Sequence, residues 1–436
     1  MKKRFLSLTV GFLAVFPVFS QTAQEDIAAN PRLSASNHVA YQNSITPESY
    51  RLSPAPAGYE PFYISHYGRH GSRWLSGYRS YHEPVKILEI AERNHRLTAR
   101  GEQLLSELRQ VMKASTKRLG ELSDYGAEQH RGIAERMYSN FPTVFLGDAS
   151  VDARSTIIIR CILSMINETS AFKSLNPSLN VVTDASMHDM YYTGWGHGED
   201  TLANRVRNSM KKAFKPYHVK IDASRFVSQL IGDKKFVADS IESEKLMEDV
   251  FTIAGSLQNH HRFDEMNMFP LFTQEELYQL WRNQNIYWYT HWANSPANGN
   301  RVPFQERELL RNMLSSADSA LMHGSRGASL RFGHETCLLP LACLMELDSV
   351  NYSTADLEHL HEHWQNYRIF PMGCNIQMIF YKKMGSTGND DILVKVLFNE
   401  HEAKLPFTTD HAPYYRWDTI KGYYFKKIET AIDWGE

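Results

Sequence analysis

The side chains best suited to chemistry fall in three separate segments. Arg69-His70-Gly71-Ser72-Arg73 holds two guanidinium groups and an imidazole within five residues. Arg154 stands in a second segment, and His334-Glu335 form the third. Each follows a short apolar run, Pro61 to Ser65, Val151 to Ala153 and Ala328 to Phe332, that reads as a strand. Each precedes or enters a helical pattern. Sites in open α/β sheets form outside the carboxyl ends of the strands, so three such loops are placed to converge.

Guanidinium forks match phosphate oxygens two at a time and stay charged. Three around one point would neutralise a phosphoryl group and its transition state. Phosphoryl transfer asks a protein mainly for positioning and charge stabilisation. A neutral imidazole can attack phosphorus and divide one displacement into two. The leaving alkoxide then needs a proton, which a protonated carboxylic acid supplies. The set suits hydrolysis of phosphate monoesters without a metal or cofactor.

Arg69-His70-Gly71-Ser72-Arg73 resembles the Arg-His-Gly-x-Arg signature of the histidine phosphatase superfamily. Gly333-His334-Glu335-Thr336 resembles the His-Asp-Thr or His-Ala-Glu element of its acid phosphatase branch (clade 2), which includes phytases and multiple inositol-polyphosphate phosphatases. Leu122-Ser123-x-x-Gly126-x-x-Gln129 and Arg154-Ser155-x-x-x-x-Arg160 resemble two further segments of that branch, in the same order. The resemblance implies His70 as nucleophile through a phosphohistidine. It implies Arg69, Arg73, Arg154 and His334 as phosphate ligands, and Glu335 as proton donor. The implied fold is a three-layer α/β phosphatase domain with an inserted helical cap. The implied partner is a small-molecule phosphomonoester, with an inositol phosphate as one class. Two departures stand out. Trp74-Leu75 follows the signature where a Pro is usual, and Glu335 directly follows His334 where the phytase type has Asp. They leave open a second reading, a phosphate-binding protein on the same fold that no longer turns over.

The surrounding chain must position these loops. It has 436 residues, 42% hydrophobic and 22% charged, which suits a large globular protein rather than a disordered one. A net charge of −2 gives no basic excess for nucleic acid. Lys2, Lys3 and Arg4, then the apolar stretch Phe5 to Phe19, read as a signal peptide over residues 1–20 of a periplasmic or secreted, bacterial-looking protein. No run is long enough for a membrane anchor. Residues 21–58 read as a polar lead-in with little core. Residues 21–170 and 325–436 read as the α/β domain, and 171–324 as a mostly helical cap that sets specificity. Pro340 is expected in the first turn of the helix after His334.

Other features have bland defaults. Arg160 lies in a helical pattern, where a structural ion pair is the first reading. His359 and His363 share an i, i+4 spacing, but no third metal ligand is fixed, so a solvated face is preferred. The loop Gly194 to Gly198 with His188, His197, Glu199 and Asp200, and the cluster Arg205, Arg207, Lys211, Lys212 and Lys215, read as surface. Cys161, Cys337, Cys343 and Cys374 allow a bridge or buried thiols equally. The aromatic share of 12% raises a carbohydrate-binding reading, but these residues follow helical patterns and core packing explains them better.

Overall fold

The computed structural model describes residues 22–42, 51–194, 217–385 and 391–432. The expected signal peptide and the Lys211 cluster, with His197, Glu199 and Asp200, lie outside the described residues. The strands are β1 (Tyr59–Arg69), β2 (Ser150–Ser155), β3 (Asn180–Asp184), β4 (Gly327–Gly333), β5 (Asn375–Lys383), β6 (Leu393–Phe398), β7 (His401–Glu402) and β8 (Tyr414–Arg416). They form one 8-stranded sheet in the order β3-β2-β4-β1-β5-β6-β7, with β8 also on β6.

One half of the sheet is parallel and the other antiparallel, and β1 is the junction. It runs parallel to β4 and antiparallel to β5. The register sets Arg69 opposite Gly333, so the loops after β1 and β4 leave the sheet side by side. β2 lies parallel on the other side of β4. The central strands β1, β4, β5 and β6 are buried along most of both faces, as a sheet covered twice requires. Tyr63, Tyr67 and Phe380 pack into one core with the helices Arg307–His323, Glu335–Leu344 and Trp417–Ile428. Ile64, Val151, Leu330 and Ile379 pack into another on the opposite face. There they meet α4 (Asp124–Asn140) and α5 (Ile159–Leu175). This is the three-layer α/β arrangement.

A third core holds the cap, and it redraws the expected boundaries. It joins α1 (Ala23–Ala29), α2 (Tyr78–Arg93) and α3 (Ala99–Ser115) to helices from the 223–281 stretch. The cap is thus assembled from three separate stretches of the chain, while β3 and the helix Arg307–His323, both inside 171–324, belong to the sheet. Helical periodicity reports that a face is apolar, not which core receives it. β3 has no buried residue, so it leaves no alternating pattern to read.

The polar lead-in is also corrected. Ala23, Ile27, Ala35 and Val39 are buried in the cap core, and Tyr41 in the sheet core. Pro340 lies in the interior of the helix Glu335–Leu344, because that helix begins directly after β4. All four cysteines are free and buried. Among the described residues, no helix is long and apolar enough to cross a membrane.

Candidate active site

The loop after β1 is held from behind by its own backbone. His70 N donates to Gly333 O at 2.9 Å, which ties the two strand ends together. Ser72 is gripped at every polar group. Its N–H donates to Gln129 Oε1 at 2.7 Å and its hydroxyl to Asn259 Oδ1 at 2.6 Å. Its carbonyl accepts from Ser123 N and Oγ at 2.9 and 3.0 Å. Ser123 also caps α4. Gly71 lies against Gly126 in the first turn of α4, where a Cβ on Gly71 would stand 2.5 Å from the Gly126 carbonyl oxygen. The spacing Ser123, Gly126, Gln129 is therefore the back support of the loop.

This grip orients His70. Its Nδ1 lies 2.8 Å from Gly71 O. A carbonyl can only accept, so Nδ1 carries the proton and Nε2 keeps its lone pair. Nε2 faces the Glu335 carboxylate, 3.9 Å from Oε2. Burial, then Arg160 and Arg69, push the His70 imidazole well below its ordinary value, so it stays neutral.

The charged groups surround that nitrogen. Arg69 is fully buried; Nη1 donates to Phe370 O at 2.7 Å and Nη2 to Asn37 O at 2.9 Å. Its Nε pairs with Glu335 Oε2 at 3.0 Å, at an angle that makes no hydrogen bond. Arg73 Nη1 donates to Trp74 O at 2.9 Å. Burial lowers the Arg73 guanidinium to about 10, still charged at neutral pH. Arg160 Nη2 donates to His334 Nε2 at 2.8 Å. The buried Nε–H groups of Arg69, Arg73 and Arg160 have no hydrogen-bond acceptor among the described residues. Arg73 and Arg160 each keep a buried Nε–H without an acceptor and Arg69 Nε meets only the Glu335 carboxylate, so three guanidinium groups beside a neutral imidazole form a cradle for an anion.

His334 and Glu335 open the helix Glu335–Leu344, whose N-terminus adds partial positive charge. Burial, then Arg160, lowers His334 to about 3. Burial alone would raise Glu335, but Arg69, Arg73 and His334 outweigh it and hold the carboxyl at about 2.

Arg69, His70, Arg73, His334 and Glu335 thus come together. Arg154 does not. It pairs with Asp152 at 2.9 Å and Asp184 at 3.1 Å, with Asp189 at 3.9 Å. On β2 the alternate residues Ala153 and Ser155 are buried, so Arg154 shares the other face with Asp152 at the sheet edge beside β3. Arg160, in the first turn of α5, reaches the site in its place.

Sequence reasoning missed three contributors. Asn37 bonds Glu335 Oε1 at 3.2 Å. His38 sits beside Arg73 and Arg69, and burial with those charges holds it at about 3. His260 packs at a tilt against Trp74, ring centroids 4.0 Å apart, and so forms part of the wall next to the signature. No periodicity marks Asn37 or His38, and only tertiary packing brings them here. His359 pairs with Asp356 at 2.8 Å and precedes the short helix Leu360–His363, so it is not stacked with His363 on one helix face. Among the described residues no group of three His, Cys, Asp or Glu could hold a metal ion.

No protein-family model matches the chain, and no curated protein matches it in sequence. Solved structures do match in fold. The Bifidobacterium longum multiple inositol polyphosphate phosphatase in complex with inositol hexasulfate is similar at a TM-score of 0.76 and 19% identity, over 89% of this chain and 96% of that one. The phytase from D. castellii is similar at 0.69 and 13%, over 96% and 90%. The chain has the fold of the histidine acid phosphatases that its motifs resemble.

Proposed function

We propose that this chain hydrolyses phosphate monoesters through a phosphohistidine on His70, and that its substrates are phosphorylated small molecules such as inositol phosphates. The observation that carries the reading is the His70 geometry. A neutral imidazole with its Nδ1 proton held by Gly71 O keeps the lone pair on Nε2, facing Glu335, while the charges of Arg160, Arg69 and Arg73 act on the same ring. That is a nucleophile with its charge stabilisers already in place.

In the first displacement Nε2 bonds phosphorus as the ester P–O bond breaks. The departing oxygen takes a proton from the Glu335 carboxylic acid. In the second, water attacks phosphorus, its proton goes to Glu335, and the N–P bond breaks to release phosphate and neutral His70. Arg69, Arg73 and Arg160 hold the phosphoryl oxygens through both steps, with His334 beside them.

The Glu335 carboxyl, held at about 2, is ionised at neutral pH. A phosphate dianion adds negative charge beside it and draws on the same guanidinium groups. Both effects raise the carboxyl and make a proton available on the acid side. The expected optimum is therefore acidic. The proteins similar in fold include a phytase and a multiple inositol polyphosphate phosphatase, which is why inositol phosphates head the substrate class.

The test is phosphate release from inositol hexakisphosphate and from a generic aryl phosphate, with chelator present, by wild type and His70→Ala. Release from both by wild type alone supports the whole reading. Release from the aryl ester only keeps the chemistry and rejects inositol phosphates. Release from neither rejects hydrolysis and favours the phosphate-binding alternative.

A further inference from the structure

Asn37 touches both members of the ion pair at the centre of the site. Its carbonyl accepts from Arg69 Nη2 at 2.9 Å, and its Nδ2 donates to Glu335 Oε1 at 3.2 Å. The other carboxylate oxygen, Oε2, lies 3.0 Å from Arg69 Nε and 3.9 Å from His70 Nε2. The two oxygens are therefore unequal: one is engaged by an amide, and the other faces the nucleophile.

The backbone around Asn37 is built to keep it there. Ser36 adopts φ 56°, ψ −121°, a conformation that L residues rarely take without support. The support is Asn366, whose Nδ2 donates to Ser36 Oγ at 2.7 Å. Asn366 is itself fixed by Trp281 Nε1 and by Asn285 Oδ1, each at 2.9 Å. On the other side of Asn37, Asn259 Nδ2 donates to His38 O at 2.8 Å. The same Asn259 holds Ser72 in the nucleophile loop. Met372 N donates to Val39 O at 2.8 Å. The segment is pinned on both sides of Asn37 by the side chains of Asn366 and Asn259 and by one backbone bond from Met372.

We propose that Asn37 is a positioning residue that divides the work of the Glu335 carboxyl between its two oxygens. This rests on the hydrolase reading above. Asn37 occupies Oε1, so the proton given to the leaving oxygen is carried on Oε2. In the second step Oε2 takes the proton from water while the water oxygen bonds phosphorus and the N–P bond breaks. Without the amide, the terminal torsion of Glu335 is soft and presents either oxygen. The ionised carboxylate also loses one donor, which raises its pKa.

Leaving groups distinguish this role from a merely structural one. An alkyl phosphate needs a proton on its departing oxygen, whereas an activated aryl phosphate leaves as a stable phenolate. In Asn37→Ala, kcat/KM for an alkyl monoester, which reports the first displacement alone, should fall by about tenfold to a hundredfold, with the aryl ester within about threefold, because only the alkyl ester needs the proton in that step. The alkaline limb of the alkyl kcat/KM profile, where the Glu335 carboxyl loses its proton, should move to higher pH. Asn37→Asp keeps the shape but sets a carboxylate beside Glu335, so it should give the same selective loss with a larger upward shift. Circular dichroism confirms that each variant is folded. Equal losses on both esters, or no loss on either, overturn the proposal while leaving the hydrolase reading standing. Wild type that releases phosphate from neither ester overturns both.

Discussion

The site has two sides that were made by different means. The sheet side consists of the segments that follow β1, β4 and β2, and the strand register alone sets Arg69 against Gly333. The N-terminal side consists of residues 36–39, a segment without strand pairing, held chiefly by the side chains of Asn366 and Asn259, with one backbone bond from Met372. The first side supplies the nucleophile, the proton carrier and the guanidinium groups. The second supplies the contact that aims the proton carrier. Backbone pairing places reacting groups, while side-chain anchors place the groups that refine them. The first is shared across a fold, whereas the second depends on individual polar residues in distant parts of the chain.

The largest test of this contrast lies within the sheet side. Arg160 meets His334 while Arg154 meets only carboxylates. Arg160→Ala should lower kcat/KM by about a hundredfold, as loss of a buried oxyanion donor does. Arg154→Ala removes only partly exposed ion pairs and should leave kcat/KM within about twofold. Steady-state kinetics on one aryl phosphate decides it, and the reverse ranking would restore Arg154 to the site. The leaving-group test on Asn37 comes next in size and probes the N-terminal side directly.

A smaller effect is expected where the two sides meet behind the loop. Gln129 accepts from Ser72 N and donates to Tyr41 O at 3.3 Å, so it joins the nucleophile loop to the N-terminal segment. Gln129→Leu strands a buried N–H and should cost about 1–3 kcal/mol of stability. Denaturant unfolding measures the loss. An unchanged midpoint would mean that the loop holds itself.

The smallest effect per residue is the pH dependence of stability. His38, His66, His260 and His334 are each lowered to about 3, chiefly by burial. Their unfolded forms bind a proton near pH 6.5, and the folded forms do not. Stability is thus complete above about pH 6.5 and is lost progressively as the pH falls toward 3. Glu335 acts lower: its contribution is full above about pH 4.5 and is lost as pH falls through about 2. The melting temperature should drop steadily from pH 7 to pH 4. His38→Asn should make that dependence shallower by roughly one proton in the linkage slope. An unchanged slope would place His38 in a more polar setting than the N-terminal side provides.

Much of the sheet side was legible in the sequence. Arg69, His70 and Arg73 share one short loop, and His334-Glu335 share another, so residue type and spacing were enough. Even the back support was visible as Ser123, Gly126 and Gln129, although its purpose was not. The failure at Arg154 has a physical cause. Arg154 and Arg160 lie on either side of a strand-to-helix transition, and which one turns inward depends on the face that β2 buries. That face is set by β3 and β4, not by local sequence. The cap boundary failed for a related reason, since α2 and α3 are amphipathic in either core.

What the sequence determined by itself was the reactive inventory and the α/β class, because both rest on residue type, short spacing and local periodicity. Tertiary structure alone decided which arginine completes the cradle and which tautomer His70 adopts. It also decided that Asn37, nearly three hundred residues from Glu335 along the chain, sets the direction of its carboxyl. Those outcomes depend on register, burial and contacts between distant segments, and none of the three is encoded within a local window.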